Sequence, residues 1–439
     1  MPPVNCVPKE GYEDAEEEET NQVKHPSSSI TNNDGDASKS DWLTRLMAKY
    51  GIDITTSPLY VLAPMVEQSD LPFRMQCRKY GVHLCFTPMI HSKLFCLQPH
   101  YRAKFTPRDL GNLDRPLIAQ LCGHDLDHLV ETATAIAPYC DAVDLNCGCP
   151  QMIAKRGRYG AFLLDEPDAL VELVTGLCER LRGIIPVTVK VRLVPEPYDP
   201  IASNLDASLA LYHRLVAAGC TVLTVHGRNR NHKGPSTCAA DWSALQRIVK
   251  ELPIPVIANG NVASIDTAQA CLAATGAAGV MSAEAILERP NLFAAATNTG
   301  KDHAAQQMSQ LDLAEEYLTL CQTYPPEQGG QGTGLKTQRM HLHHFLHKAL
   351  QEQTDIRQMV QDATSCADLW RACAILRERG SGTQVESDLS WYYRYQMRKQ
   401  KEEARLRELI EHRKENPALD EEVDEEEEAA VCFDNLFNM

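Results

Sequence analysis

From about residue 57 the chain alternates between two textures. Short runs that are nearly continuous in apolar residues recur, and amphipathic stretches with helical periodicity separate them. The runs predict strands over Leu59–Met65, His83–Pro88, Pro116–Cys122, Ala142–Cys147, Val187–Leu193, Thr221–His226, Pro255–Asn259 and Ala278–Ser282. The stretches between them predict helices over 70–80, 125–138, 166–182, 206–218, 240–251 and 264–275. A strand without polar alternation is covered on both faces, as strands of a parallel sheet are. Eight such strands alternating with helices over residues 55–300 match the size and count of a (β/α)8 TIM barrel, an α/β fold. An open doubly wound sheet would need a Gly-rich first turn, whereas the first strand ends in Ala63-Pro64-Met65.

Past residue 300 the strand pattern stops. Leu311–Gln322, Lys336–Gln351, Thr354–Ala363 and Ser365–Arg379 read as helices, with Thr354 and Ser365 as N-caps, so a C-terminal helical domain is predicted over 305–382. A basic amphipathic helix is predicted over 388–416, where residues 391–414 carry eight bases and four acids. Residues 1–45 are polar and acidic and predict a disordered tail, and 417–439 predict a second acidic tail.

Charge changes meaning once it is divided along the chain. The 439 residues carry 43 basic and 59 acidic side chains, a net charge of −16 that argues against a nucleic-acid partner. Residues 1–40 contribute −6 and residues 420–439 contribute −9, so the body between them is near neutral. Hydrophobic residues at 44% suffice for a full core. No apolar run approaches the roughly 18 residues of a membrane span, and no secretory leader is apparent. The 16 cysteines are spread thinly, several in apolar runs, which reads as reduced thiols in the cytoplasm or nucleus.

In a (β/α)8 barrel the active site lies at the C-terminal ends of the strands. Those ends carry Ala63-Pro64-Met65, Thr87-Pro88-Met89, Gln120, Asn146-Cys147-Gly148-Cys149-Pro150, Lys190 and Arg192, His226-Gly227-Arg228, Asn259-Gly260-Asn261 and Ser282-Ala283-Glu284. Polar groups and sharp bends collect at one end of nearly every strand. No HExxH or phosphate-loop motif is present, and Cys140, Cys147 and Cys149 lack the paired spacing of zinc ligands, so no metal site is predicted. No carboxylate pair sits at the strand ends, which speaks against glycoside hydrolysis. The set suits FMN better. Gln120 could pair with a flavin's imide edge, and Lys190 could place positive charge at its N1/O2 locus. The late Gly-containing loops could receive its phosphate. Cys149, on a tight Gly-Cys-Pro loop, is the candidate acid. A free thiol, with a pKa of about 8.5, holds its proton at neutral pH. Cys147, on the strand itself, reads as packing.

Asp144-Leu-Asn-Cys-Gly-Cys-Pro-Gln151, continuing through Gly160-Ala-Phe-Leu-Leu164, resembles the signature of the tRNA-dihydrouridine synthases. Leu62–Val66, Asp70–Arg74, Val189–Arg192, Thr224–Arg228, Asn259–Asn261 and Gly279–Ser282 fall in that family's order, over roughly 57–375. The resemblance is closest to the eukaryotic branch that modifies uridines 16 and 17 of the tRNA D-loop. It implies FMN as bound cofactor, NADPH as reductant and tRNA as substrate. Cys149 would give the proton to C5 of uracil, and the flavin hydride would go to C6. Ala63, Pro64 and Met65 would line the isoalloxazine ring, with Gln120 and Lys190 at its polar edge. His226 would contact the flavin phosphate region or the substrate. Asn259, Gly260, Asn261, Ala283 and Glu284 would close the phosphate site. The helical domain would grip tRNA, with the target base flipped into the mouth. One departure stands out. Many members carry Gly-Arg after the eighth strand, where this chain has Ala283-Glu284, and an acid cannot replace an arginine at a phosphate. Backbone N–H groups, or another base such as Arg289, would have to serve.

A tRNA binder must offer bases to phosphates. Candidates are Lys155, Arg156 and Arg158 after the Cys149 loop, with Asn146 and Arg192 at strand ends. Arg228, Arg230, His232 and Lys233 follow strand six, and Arg339, His341, His343, His344, His347 and Lys348 share one helical stretch. A monomer without membrane association is expected. Two other readings stay open, an FMN barrel reductase of free pyrimidines or enones and a noncatalytic RNA-binding protein on the same barrel.

Overall fold

The computed structural model describes residues 42–107, 110–234, 237–294, 305, 307–325, 333–383 and 390–394. The acidic tails and most of the predicted basic helix lie outside the described residues. Eight parallel strands form a closed ring: β1 Leu59–Leu62, β2 Leu84–Phe86, β3 Leu117–Cys122, β4 Ala142–Cys147, β5 Val187–Arg192, β6 Leu223–His226, β7 Val256–Asn259 and β8 Gly279–Ser282. Each pairs with its neighbours in sequence, and β8 closes on β1 with Leu59 opposite Gly279 and Leu62 opposite Ser282. β3 and β4 are buried at every position, the expected state of strands covered on both faces.

Helices α2 Leu71–Lys79, α3 Leu126–Ile136, α4 Pro167–Arg180, α5 Leu205–Ala217, α6 Trp242–Glu251 and α7 Ile265–Thr275 return the chain between strands. Asp125, Asn204, Asp241 and Ser264 accept a backbone N–H at four of their N-termini, which satisfies donors a helix start leaves unpaired. The N-terminal tail is shorter than its composition implies. Trp42–Lys49 forms helix α1, and its Leu43, Leu46 and Met47 pack under the barrel against Leu59, Val61 and Ile257. Its apolar residues stand at i, i+3 and i+4, the spacing of one buried helix face. After β2 the chain forms two short helices, Ser92–Leu97 and Pro99–Phe105, in a stretch without a clear period.

Beyond the barrel, α8 Glu284–Glu288 precedes α9 Gln310–Thr323, α10 Thr333–Phe345, α11 His347–Glu352, α12 Thr354–Asp362 and α13 Cys366–Glu378. These helices share one core with the barrel. Phe73 of α2 stacks on His341 at 4.4 Å, and Leu342, Phe345 and Leu350 belong to the same buried cluster as the strands. Polar contacts pin the junction: Gln76 Nε2 donates to the Leu313 carbonyl at 2.8 Å, and Asp70 accepts from the Tyr317 hydroxyl at 3.0 Å and meets His341 Nε2 at 2.8 Å.

Candidate active site

Register decides which strand ends meet. Asn146 on β4 lies beside Lys190 on β5, and Arg192, His226 and Asn259 stand side by side on β5, β6 and β7. Side chains alternate along a strand, so Asp144 and Asn146 share the barrel's inner face, as do Thr188, Lys190 and Arg192.

A line of hydrogen bonds climbs this inner face to the loop after β4. Thr188 Oγ1 and Gln120 Nε2 donate to the two oxygens of Asp144, both at 2.8 Å. Asn146 Nδ2 donates to Gln120 Oε1 at 2.7 Å. Asn146 Oδ1 then accepts the backbone N–H groups of Gly148 and Cys149 at 3.1 and 2.9 Å. Arg192 Nε clamps the same loop by donating to the Gly148 carbonyl at 2.7 Å. Gly160 supports it from below. Its φ is +72°, and a Cβ there would lie 2.6 Å from the Cys149 carbonyl oxygen and 3.0 Å from Cys149 Cβ. Only glycine meets both demands. The loop therefore presents the partly exposed Cys149, while Cys147 is fully buried and burial pushes its thiol well up.

The mouth is cationic. Lys190 Nζ donates to Asn259 Oδ1 at 3.1 Å, and burial, then the neighbouring Arg192, pushes its ammonium down to about 8. Burial, then Arg228, pushes Arg192 down to about 10. Burial, followed by Arg192 and Lys190, holds His226 well below the ordinary imidazole range, so its Nε2 is an acceptor facing Arg228 Nη1 at 3.1 Å. Arg228 also donates to the Cys238 carbonyl at 2.6 Å and to Asn261 Oδ1. Among the described residues, no carboxylate lies within ion-pair distance of Lys190, Arg192 or Arg228. Inside the barrel Asp144 is the balancing acid, and burial pushes even its carboxyl up to about 6. Cations gathered in a buried mouth, their charge disfavoured by burial and by one another, make a site for an anion.

The loops after β7 and β8 approach this cluster closely. Gly260, at φ +114°, passes over His226, and a Cβ there would lie 3.0 Å from His226 Cδ2 and 2.7 Å from Ala240 Cβ. Asn259 is fixed by donating to the Met281 carbonyl at 2.9 Å. At the end of β1, Ala63 is buried, and Pro64 and Met65 are half-buried at the rim. Ala283 leads into α8. The Glu284 side chain points outward, 55% exposed.

The residues expected to meet RNA divide into two groups. Lys155, Arg156 and Arg158 are exposed on the short helix and turn that follow the Cys149 loop. Beside them Met152 and Ile153 are 54% and 68% exposed, an apolar pair at the mouth that the count of bases did not reveal. Asn146, Arg192 and Arg228 instead face the interior and hold loops. The assignment of Arg339, His341, His343, His344, His347 and Lys348 to one RNA-facing helical stretch is corrected, because α10 ends at Phe345 and His347 and Lys348 stand on α11. His341 is fully buried against Phe73 and paired with Asp70, and His344 is buried against Gln68 and Trp391. Both belong to the core because the helix's inner face turns toward the barrel. Arg339 is partly exposed and donates to the Gln361 carbonyl at 2.6 Å, and His343 and Lys348 are half-buried. Among the described residues no cluster of three or more His, Cys, Asp or Glu is placed to hold a metal.

A family model described as dihydrouridine synthase (Dus) matches residues 61–379. This chain belongs to the dihydrouridine synthase family. Among members of that family, it is 40% identical over 299 residues to a tRNA-dihydrouridine(16/17) synthase-like protein of Rattus norvegicus, covering 68% of this chain and 62% of the rat protein. It is 36% identical over 329 residues to the tRNA-dihydrouridine(16/17) synthase of Schizosaccharomyces pombe, covering 73% of this chain and 78% of the yeast enzyme. The 20a/20b synthase of the same yeast matches at 34% over 237 residues, 54% of this chain and 69% of that enzyme. The chain thus spans less than two thirds of the rat relative's length. The family's matched span includes the Cys149 loop, the cationic mouth and the helices through α13.

Proposed function

We propose that this chain reduces uridine to 5,6-dihydrouridine at positions 16 and 17 of the tRNA D-loop, with FMN as bound cofactor and NADPH as reductant. The observation that carries the reading is the cationic mouth, with no carboxylate in ion-pair distance among the described residues, set around a loop held to present one thiol. That donor set fits FMN. Lys190 would face the N1/O2 locus, the backbone around Gly260 and Ala283 would take the phosphate, and Ala63 to Met65 would border the ring. When bound, FMN supplies the hydride for C6 of uracil and is recharged by NADPH.

The chain's own residues do the rest. The Cys149 thiol holds the proton destined for C5, and Asn146, Arg192 and Gly160 keep it where a base in the mouth would meet it. Lys190 and Arg192 favour negative charge developing on the bound partners. Lys155, Arg156 and Arg158, exposed after the Cys149 loop, would serve the RNA phosphates flanking a flipped base. The choice of positions 16 and 17 is supported by the extent of the matches. The 16/17 relatives align over 299 and 329 residues, the 20a/20b relative over 237.

The test is direct. Purified protein should be yellow and release FMN on denaturation. Dihydrouridine at positions 16 and 17 should disappear from tRNA in cells lacking it. Cys149→Ala should keep the flavin and lose uridine reduction by at least about 100-fold; full turnover in that variant would sink the assigned role.

A further inference from the structure

The short helix after the Cys149 loop, Met152–Arg156, opens with two large apolar side chains in water. Met152 and Ile153 are each more than half exposed, and Ala154 is the helix's buried residue. Two such residues side by side, at the rim of a ligand site and edged by bases, mark a contact surface. Loose packing does not explain them, because the helix is held at both ends and along its buried side. Lys233 Nζ donates to the Pro150 carbonyl at 3.2 Å, and His124 Nδ1 meets the Gly157 carbonyl at 3.1 Å. Ala154 packs with Cys122 and Tyr159 in a buried cluster that Cys149 joins.

Place and charge identify the occupant. Met152 is three residues from Cys149, so their Cα atoms lie within about 11 Å, the reach of a nucleotide beside a base in the mouth. Lys155 and Arg156 are exposed on the same helix, and among the described residues neither has a carboxylate within ion-pair distance. An apolar contact edged by such cations fits a nucleotide, with its base face and its anionic phosphate. That the pair is aliphatic narrows the choice further. Reduction leaves C5 and C6 of dihydrouridine tetrahedral, so the ring loses the flat π face on which an aromatic side chain stacks. Met and Ile make van der Waals contact without requiring a flat partner. A chain that reduces two adjacent uridines must accept a dihydrouridine beside the second.

We propose that Met152 and Ile153 form a rest for the nucleotide adjacent to the uridine being reduced, whether that neighbour is still flat or already saturated, with Lys155 and Arg156 on its phosphate. The proposal rests on the reading of the chain as a tRNA enzyme acting at adjacent positions. It gives the second of those positions a contact of its own outside the mouth.

The experiment compares the full-length, flavin-loaded protein with its Met152→Ser/Ile153→Ser variant. The substrates are tRNA transcripts with uridine, dihydrouridine or an abasic site at position 16, and uridine 17 is the target. Single-turnover reduction should fall about tenfold in the variant on the first two transcripts. It should not differ from the parent's on the abasic one, where no base reaches the pair. Met152→Leu/Ile153→Leu should restore turnover. The slope of tRNA affinity against salt should not change in the Ser variant, whereas Lys155→Ala should reduce it by about one. An unaltered slope in Lys155→Ala removes the phosphate contact. An equal loss on the abasic transcript overturns the proposal, because it shows a structural role. Loss of flavin in the Ser variant overturns it too, since the pair would then cover the cofactor. So does a fall in oligomeric size, since the occupant would then be a second copy of the chain. Parent and variant turning over uridine 17 equally refutes this contact alone. An unaltered protein that forms no dihydrouridine on any transcript refutes the functional reading, and the contact with it.

Discussion

Asn146 uses one amide in two directions. Its N–H bonds Gln120, and its oxygen holds two successive backbone N–H groups of the Cys149 loop. Asn146→Ala orphans both donors, and displacement of a reacting group by about 1 Å can cost a factor of 100. The variant is expected to lose one to two orders of magnitude in kcat, with flavin retained and KM little changed; single-turnover kinetics would check this. Asp144, two residues earlier, carries a pH signature. Its carboxyl is raised to about 6 in the fold by burial, against an unfolded value of 3.8. The folded state therefore binds the proton more tightly, and stability falls as pH rises through that window. Between about pH 5 and 7 the loss should be about 1 kcal/mol. Chemical denaturation of the protein and of Asp144→Asn over this range should show the parent losing stability relative to the variant. Parallel curves would refute the burial of an ionising Asp144.

At the scale of elements, the β4 loop and the segment that closes under it form one unit. Gly160 lies 11 residues past Cys149, yet a Cβ added to it would meet that residue's carbonyl and Cβ. Gly160→Ala combines a left-handed φ with contact at 2.6 Å, so it should destabilise the fold by about 1–3 kcal/mol and displace Cys149. A melting curve with unchanged midpoint would show that the loop yields freely. The strands and helices of the barrel were legible because their apolar runs and periods are long and uninterrupted, and β4 spans the residues its pattern marks, Ala142–Cys147. The strand-end rule selects Gln120, Lys190 and His226 by position alone, and the structure sets them on β3, β5 and β6. What pattern could not show is partnership. Register places Asp144 and Thr188 under Gln120, and the guanidiniums of Arg192 and Arg228 lie on loop carbonyls, contacts that no sequence pattern marks. His341 and His344 were misassigned for a similar reason. A histidine counts as a base in a sequence, but its burial depends on what the other side of the helix meets.

At the scale of the whole molecule, the barrel and the helices beyond it are one packed body. Tyr317, His341 and Phe345 close over Phe73 in a continuous core, so cutting the chain near 305 would expose it rather than free a working barrel. The body between the termini is near neutral in net charge, and Lys155, Arg156 and Arg158 place exposed bases at the mouth. The two acidic termini carry −6 and −9. Charges tethered to the chain act at high effective concentration, and their attraction to a basic surface is screened beyond about 10 Å at 0.1 M salt. They should therefore compete with weakly held RNA, which binds by phosphate contacts alone, more than with a substrate whose base enters the mouth. Deleting 1–40 and 420–439 is expected to raise affinity for unrelated RNA several-fold at low salt, with a smaller change for tRNA and none near 0.5 M salt. Equal affinities for unrelated RNA with and without the termini, measured at 50 mM salt, would remove this role from them.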